Sequence, residues 1–451
     1  MFFKRIYTEG IAHYSYLFGS EGEAFVIDPR LDYGIYLEIA ERENLRITRI
    51  FETHRNEDIL LGSTGLAREC GAQVFISAYE ELDYRYGSSI REEDCFTLPV
   101  ALTLTPLHTP GHTLGHLSYV LALDGKPYMV FTGDCLFYGG VGRTDFYGEA
   151  NLIAMTAKLH DSIYRKLAGL GSEVLVMPAH GAGSVCGRNL DDIPYSTLGF
   201  ELKHNKALRK DKDTFLKLNA KMHYKNPMFS VMEQSNPRGG GERLFAGLSV
   251  LAEIPARTRV IDLRERQAFL GAHIPGSLNL PLDMLASYAG WVLDEKTPLV
   301  LMADGLTQDE LLLAQRILRC TGFKNLRGVL GSRTLFNRET AGLPHASLVQ
   351  ISPADYLELV KFKPEDAVSL DLRRADELNA KEPSFNVLHI PLQELRERAA
   401  EVPADKAVYI LCGTGDRTVI GASYLAAVRG LDTVSVSGGM AGIEAAKEKG
   451  R

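Results

Sequence analysis

Phe131-Thr132-Gly133-Asp134 is the stretch on which the reading of this chain turns. It closes an apolar run of β character, Tyr128 to Phe131, and leaves a carboxylate at the end of it. Two histidines stand upstream in the same setting. His54 lies in Glu52-Thr53-His54-Arg55-Asn56-Glu57-Asp58, just after Ile47 to Phe51. His112 lies in His108-Thr109-Pro110-Gly111-His112, just after Ala101 to Leu107. Loops at strand ends are where a rigid sheet aims side chains at one point. Two imidazoles and one carboxylate make the ligand set of a non-haem iron(II) facial triad, with coordination positions left open. A catalytic zinc site uses the same residue types. His54, His112 and Asp134 are therefore the candidate metal ligands, for one iron(II) ion or for zinc.

The chain around them is long enough for several domains. Its 451 residues are 45% hydrophobic and 24% charged, more than one ordinary core accommodates, so two to four domains are expected. A net charge of −7 argues against a general nucleic-acid binder, which carries a basic face. No apolar run reaches the length of a membrane span. The start, Met1-Phe2-Phe3-Lys4-Arg5-Ile6-Tyr7-Thr8-Glu9, turns polar at once and has no signal-peptide core. Six cysteines without a CxxC pair fit reduced thiols in a cytoplasm.

In chain order, Ser15 to Phe18 and Ala24 to Asp28 read as a hairpin ending at Pro29. Tyr33 to Asn44 reads as helix, Ile47 to Phe51 as strand, Leu60 to Cys70 as helix and Gln73 to Ser77 as strand. Leu152 to Leu167 reads as a long amphipathic helix, and Val174 to Pro178 as a buried strand that delivers His180. The alternation predicts an α/β protein whose first part has two sheets covered by helices. Residues from about Thr197 to Pro237 are charged and mostly helical, and Asn236-Pro237-Arg238-Gly239-Gly240-Gly241 is the strongest linker signal. After it the sequence repeats. Val260-Ile261-Asp262-Leu263-Arg264 returns as Ser369-Leu370-Asp371-Leu372-Arg373, with Asp371 109 residues after Asp262. Gly305 and Gly415, and Gly322 and Gly430, are offset alike. A repeat of that length means two copies of one small domain, each a parallel α/β sheet.

The first part resembles the metallo-β-lactamase superfamily, and within it the persulfide dioxygenases. The resemblance rests on Thr53-His54-x-x-x-Asp58, Thr109-Pro110-Gly111-His112-Thr113, Phe131-Thr132-Gly133-Asp134, Gly142-Arg143-Thr144-Asp145 and Pro178-Ala179-His180-Gly181. It implies an αββα sandwich. The general superfamily motif has histidine where Asn56 and Ile59 stand, and its dinuclear zinc hydrolases need both. Ile59 has no donor atom, and Asn56 offers only a neutral oxygen poorly suited to zinc. The persulfide dioxygenases hold one iron through residues matching His54, His112 and Asp134. Asp58, His180 and Asn56 are then expected behind the ligands, orienting waters or imidazoles. His108 and His116 read as neighbouring polar residues, and Arg143-Thr144-Asp145 as a brace for the site loop. For Asp28, loop capping and a site role are both open. Cys135 and Cys186 read as small buried residues.

The two repeats resemble rhodanese domains, in their Asp-Leu-Arg segments, in Gly271-Ala272-His273-Ile274-Pro275-Gly276-Ser277, and in the loop after the fourth strand of the last copy. That loop, Cys412-Gly413-Thr414-Gly415-Asp416-Arg417-Thr418, opens a helix from Val419 to Arg429. A cysteine at a strand end before a helix has its thiolate stabilised by backbone N–H groups and the helix dipole, and the same cradle takes a persulfide or thiosulfate anion. Cys412 is the expected persulfidated nucleophile and Arg417 the added positive charge. Gly413, Thr414, Gly415, Asp416 and Thr418 are the expected anion-binding loop. In the middle copy, aligning Gly305 on Gly415 sets Met302 opposite Cys412 and Thr307 opposite Arg417, so this copy is expected to be silent. Cys320, late in the following helix, is no substitute. Phe385-Asn386-Val387-Leu388-His389-Ile390-Pro391 in the last copy lacks the family's glycine-rich His-Ile-Pro-Gly-Ala form, which bears on substrate preference.

The resemblance as a whole is to bacterial fusions of a persulfide dioxygenase with two rhodanese modules. It implies domains over 1–240, 245–345 and 349–451, O2-dependent oxidation of a glutathione- or coenzyme A-type persulfide to sulfite, and sulfur transfer with sulfite and thiosulfate through Cys412. A cytoplasmic homo-oligomer without nucleic-acid or membrane partners is expected. The alternatives are a zinc thioester hydrolase of the glyoxalase II type, a sulfurtransferase with a vestigial metal domain, and a structural sulfur-relay partner.

Overall fold

Neighbouring apolar residues in the first strands point to opposite faces, and the structure uses both faces. The computed structural model describes residues 1–451 apart from 185, 188–189, 241–246, 332, 363, 380–383 and 450–451. Gly241, the last residue of the expected linker, lies outside the described residues, as do 245 and 451, two of the expected domain limits. The chain divides into two compact units. The first is 1–246 with 319–322, and the second is 247–318 with 323–451.

In the first unit, β1 (Phe2–Thr8), β2 (His13–Ser20), β3 (Glu23–Ile27), β4 (Arg46–Phe51), β5 (Gln73–Ser77) and β6 (Ser88–Ile90) form one sheet in that order. β7 (Phe96–Leu98), β8 (Leu102–His108), β9 (Leu117–Leu123), β10 (Lys126–Gly133), β11 (Leu175–Pro178) and β12 (Ser196–Thr197) form the other, in order from β12 to β7. Tyr16, Phe18, Phe25, Ile27, Phe51 and Phe75 from the first sheet meet Tyr119, Leu121, Met129 and Phe131 from the second in one core. The gap between stacked sheets is about 10 Å, and mostly large rings and thioethers fill it. The alternate residues Leu17, Ala24, Val26, Ile50, Val74 and Ile76 face outward against Tyr36, Ile39 and Leu66 of helices Gly34–Arg42 and Ser63–Cys70. On the other outer face Val120, Val130 and Val176 lie under Leu159, Ile163, Leu198 and Phe215. The layers are αββα.

Two elements differ from the sequence expectation for reasons that bear on the site. The helix expected from Leu60 begins at Ser63, because the Leu61 and Gly62 N–H groups donate to Asn236 Oδ1 and Pro29 O instead. The long helix is α only over Glu149–Asp161 and continues as a π turn, Ser162–Lys166. There Ser162 Oγ and Lys166 Nζ donate to Pro110 O (2.7 Å) and His108 O (2.6 Å), in the segment that leads to His112.

The second unit holds the repeat as two parallel five-stranded sheets of the same topology. β13 (Val250–Leu251), β14 (Arg259–Asp262), β15 (Leu278–Asn279), β16 (Leu299–Met302) and β17 (Leu326–Leu330) run in the order β13-β17-β16-β14-β15. β18 (Val349–Ile351), β19 (Ala367–Asp371), β20 (Val387–His389), β21 (Ala407–Leu411) and β22 (Thr433–Val436) run in the order β18-β22-β21-β19-β20. Asp262 with Arg264, and Asp371 with Arg373, make the same forked ion pair at the same place. Gly305 and Gly415 share φ +90°. Asp262 pairs with Met302, whereas Asp371 pairs with Leu411. By strand register Met302 thus matches Leu411, and the middle loop is one residue shorter before its glycine. No helix among the described residues is long and apolar enough to cross a membrane.

Glu52, at the end of β4, is buried, and burial pushes its carboxyl up to about 8 although Ser63 and the Tyr86 hydroxyl favour the charged form. A carboxyl whose folded value lies above its unfolded value contributes stability that is fully present below the unfolded range and is lost as pH rises through the folded one. Urea stability of the metal-free chain should therefore fall by a few kcal/mol between about pH 5 and about pH 9. Glu52→Gln should flatten that slope; an unchanged slope would remove Glu52 as its source.

Candidate metal centre and cysteine loop

The loops after β4, β8, β10 and β11 meet at one edge of the sandwich. Each candidate imidazole there has its outer nitrogen fixed. Thr53 Oγ1 lies 2.6 Å from Asp28 Oδ2, to which it gives its single proton, so it accepts from His54 Nδ1 at 2.8 Å. His112 Nδ1 donates to Arg143 O at 2.8 Å. Both histidines therefore turn Nε2 inward. His54 Nε2 lies 3.8 Å, and His112 Nε2 3.4 Å, from Asp134 Oδ2. The structure thus brings the three sequence-predicted ligands together.

It also brings a fourth group that sequence reading passes over. Glu57 Oε2 lies 3.4 Å from His112 Nε2 and 3.8 Å from His54 Nε2, while Glu57 Oε1 accepts from Arg55 Nε at 2.8 Å. His54 Nε2, His112 Nε2, Glu57 Oε2 and Asp134 Oδ2 are buried and have no hydrogen-bond partner among the described residues. Donors about 2.1 Å from one ion stand ~3.0 Å apart at a right angle and ~3.4 Å apart at a tetrahedral angle. His112 Nε2 stands at the tetrahedral spacing, 3.4 Å, from both carboxylate oxygens, His54 Nε2 stands 3.8 Å from each, and the chemistry of these donors fits a divalent cation. Burial opposes charge on Glu57, but Arg55 and His112 outweigh it and hold the carboxyl down to about 2. Burial likewise opposes charge on His112, and Asp134 and Glu57 raise its pKa nonetheless. A metal ion takes His112 as a neutral donor, so metal uptake competes with protons there.

A second group adjoins the first. Donor atoms of Asp58, His180 and Cys186 lie within 4.8 Å of one another, and those of His112, Asp134 and Cys186 do likewise. His180 Nδ1 is 2.8 Å from Asp134 Oδ1, and its Nε2 is 3.1 Å from Asp58 Oδ2 without hydrogen-bond geometry. Asp58 and His180, expected behind the ligands, are therefore at the site. Asn56 is beside it, at φ +46°, with Nδ2 donating to His54 O. His116 is no ligand. Its Nε2 accepts from Asp134 N at 2.9 Å and its Nδ1 meets Thr109 Oγ1, so it positions the Asp134 backbone. Gly133, at φ +49°, gives the close approach, since a Cβ there would lie 2.4 Å from His116 Nε2. Arg143 forks onto Asp145 at 2.7 Å twice. A cavity of about 260 Å³ opens against Gly142, Arg143 and Cys186, with Lys206, Lys221 and His223 also lining it.

Asn236 holds the loop that carries His54, Glu57 and Asp58. Its Nδ2 donates to Arg55 O (3.1 Å), Asn56 O (2.7 Å) and Ile59 O (2.9 Å). The expected linker is thus, at Asn236 and Pro237, a buried part of the site.

A family model described as "Metallo-beta-lactamase superfamily" matches residues 8–180. A solved structure, "Metallo-beta-lactamase from Staphylococcus aureus subsp. aureus COL", is 30% identical with a TM-score of 0.65, and the match covers 73% of this chain and 98% of that one. The chain belongs to the metallo-beta-lactamase superfamily. A curated superfamily relative, the hydroxyacylglutathione hydrolase of Methylobacillus flagellatus, is 36% identical over 132 residues, 29% of this chain and 50% of that protein. That of Aeromonas salmonicida is 32% identical over 169 residues, 37% of this chain and 61% of that protein. The chain therefore spans only half to about three fifths of these relatives.

Beyond the superfamily match lies the Cys412 loop. Cys412 follows β21 and is buried, and its Sγ accepts from Gly415 N at 3.1 Å. The helix Asp416–Arg429 starts there. Met440 N and Ala441 N donate to Cys412 O and Gly413 O, which fixes the loop's far side. Thr414 Oγ1 donates to Asp416 Oδ2 at 2.5 Å. Thr418 Oγ1 donates to Gly415 O or Ser435 Oγ inside the fold, so its hydroxyl does not line the loop. Arg417 is already forked onto Glu377, at 2.9 and 2.6 Å. Glu377 is a neighbour that sequence reading does not supply.

Replacing Asn236 by Ala leaves three carbonyls and one N–H of the ligand loop without that partner. Metal affinity, read by chelator competition, should fall by about 10–100-fold, the usual effect of losing a group that holds ligands in place. Unchanged affinity would show that the loop keeps its shape alone.

Proposed function

We propose that the metal centre oxidises the terminal sulfur of a low-molecular-weight persulfide, RSSH + O2 + H2O giving RSH, sulfite and two protons. Cys412 then moves sulfane sulfur between a persulfide and sulfite, linking sulfite to thiosulfate, in a sulfide-detoxifying role. The observation that carries this reading is the donor set: two imidazole nitrogens and carboxylate oxygens converge where Asn56 and Ile59 deny the superfamily's further histidines. Such a set suits a non-haem iron(II) ion with open positions, and that ion, when bound, supplies the one-electron chemistry that O2 requires. The residues of the chain do the rest. The outer nitrogens of His54 and His112 are tied to Thr53 and Arg143 O, which holds their inner nitrogens toward the centre. Lys206, Lys221 and Arg143 at the cavity favour an anionic carrier thiol. At the other site the Gly415 N–H donates to Cys412 Sγ where the helix starts, and an incoming anion competes with Glu377 for Arg417. Joining both activities in one chain raises the effective concentration of the shared intermediate.

A second reading, zinc-dependent thioester hydrolysis, is favoured by the relatives named hydroxyacylglutathione hydrolase. One sample separates the two: protein purified without added metal, assayed for metal content and for O2 uptake on glutathione persulfide. About one iron per chain with O2 uptake, both lost in His112→Ala, is expected. Cys412→Ser should keep the O2 uptake and lose thiosulfate formation. No iron and no O2 uptake after anaerobic iron loading would overturn the proposal, and zinc with thioester cleavage would establish the second reading.

A further inference from the structure

A cavity of about 110 Å³ lies within the second unit, where the two copies of the repeat meet. The middle copy lines it with Arg259, at the start of β14, and with Asp294 and Thr297. The last copy lines it with Arg396 and with Tyr424, from the second half of helix Asp416–Arg429. None of these residues enters the chemistry above. Their polar groups have donors to spare. Arg259 Nη1 donates to Gly276 O at 2.9 Å, and no carboxylate among the described residues pairs with that guanidinium. Arg396 Nη1 donates to Leu293 O at 2.9 Å and Nη2 to Asp294 Oδ2 at 3.1 Å, which leaves Nε. Asp294 is spent on that contact and on its own turn, where Oδ1 accepts from Lys296 N at 2.7 Å. The hydroxyls of Thr297 and Tyr424 have no hydrogen-bond partner among the described residues. Tyr424 is buried. Burial raises its phenol, and Arg396 and Arg259 draw it back, so one guanidinium from each copy acts on the same hydroxyl.

We propose that Arg259, Arg396, Thr297 and Tyr424 bind a small doubly charged oxyanion between the two copies, inorganic phosphate or a sulfur oxyanion of the same shape such as thiosulfate. Two guanidiniums against one carboxylate leave an excess positive charge, and unused N–H and O–H donors surround it. Arginine forks and hydroxyls suit an oxyanion because each of its oxygens accepts, and such charge-assisted hydrogen bonds are the strong ones. The space is of the right order. A cavity needs only ~10–15 Å³ of such volume to hold one water, so this one admits a tetrahedral ion of phosphate's size. The bound ion ties the start of β14 to the helix that opens at the Cys412 loop, and so links the two copies at the end of that helix remote from the cysteine. The proposal stands independently of the reaction at the metal centre.

The test uses the full chain, stripped of metal and carrying Cys412→Ser so that thiosulfate meets no reactive thiol in the loop. Calorimetric titration at constant ionic strength, with inorganic phosphate in one arm and thiosulfate in the other, reads the affinity for each ion, and the tighter of the two identifies the source. Adding Arg259→Gln should weaken that ion by about tenfold or more, the loss expected of a charged hydrogen-bonding partner, while the melting point without the ion stays where it was. Tyr424→Phe keeps the ring and its packing and should weaken the ion several-fold. Lys206→Gln, at the cavity beside Arg143, should leave this affinity as it was. No binding of either ion at millimolar concentration would overturn the proposal. So would an affinity that survives both Arg259→Gln and Tyr424→Phe, or one that falls in Lys206→Gln and not in Arg259→Gln, which would place the ion at the other cavity. Where Arg259→Gln does not fold, Tyr424→Phe decides alone, and undiminished affinity in it counts against the site.

Discussion

Glu57, Asp58 and Asp134 put three carboxylates into the edge of a sandwich from which water is excluded. Burying a charge costs several kcal/mol unless it is matched. Arg55 matches part of this on Glu57, and the remainder needs protons or a cation among His54, His112 and His180. In the metal-free molecule Asp134 raises His112 and His180 against the pull of burial, whereas burial and the neighbouring imidazoles hold His54 well below its usual value. The three histidines thus behave differently in one site. His112 and His180, the two closer to the carboxylates, are raised, and His54, whose Nδ1 is tied to Thr53, is lowered. Much of the surrounding hydrogen bonding exists to keep this arrangement from relaxing: Asp28 on Thr53, Arg143 O on His112, His116 on the Asp134 backbone, and Asn236 on the ligand loop.

What was legible in the sequence follows from how local each signal is. The period-two alternation of Tyr16, Phe18, Phe25 and Ile27 against Leu17, Ala24 and Val26 is set by backbone geometry alone, so both faces of the first sheet could be anticipated. His54, His112 and Asp134 each end a strand, and strands of one unit end at one edge. Glu57 gave no comparable signal, because an acidic residue in an acidic loop is ordinarily solvated. Only the turn at Asn56, with its positive φ, carries Glu57 back under His112. Asn236 was misjudged for a related reason. Asn-Pro followed by glycines marks a flexible exit when nothing packs on it, and here the amide instead meets the carbonyls of a loop 180 residues earlier in the chain. Cys135 and Cys186, read as small buried residues, are buried in the fold.

The repeat in the second unit separates what the fold requires from what chemistry requires. The Asp262–Arg264 and Asp371–Arg373 forks tie a strand end to its following turn in both copies. Removing one partner of such a buried pair leaves an unmatched charge, so both copies keep it. The loop after the fourth strand is under no such constraint. In the middle copy it has lost one residue and the thiol, yet Gly305 keeps the φ of Gly415, because the backbone must still turn there into a helix. The copies also touch. Arg266 of the middle copy pairs with Asp416 at the start of the helix that follows Cys412, and Phe269 and Leu270 pack on Val419 of the same helix. The middle copy therefore supports the helix that begins just after Cys412.

Asn56 and Ile59 can be understood together with Glu57 and Cys186. An asparagine tolerates the left-handed backbone at position 56 better than most side chains, and its amide ties that turn to His54 O. Ile59 is buried and apolar and offers no donor atom. With no imidazole at 56 or 59, the group around His54 and His112 is poor in nitrogen and Glu57 makes it richer in oxygen, while Cys186 Sγ lies within 4.8 Å of donor atoms of Asp58 and His180. Ligand type discriminates among divalent ions more sharply than site strength does, because affinities for a given site rise in a fixed order across the first-row metals.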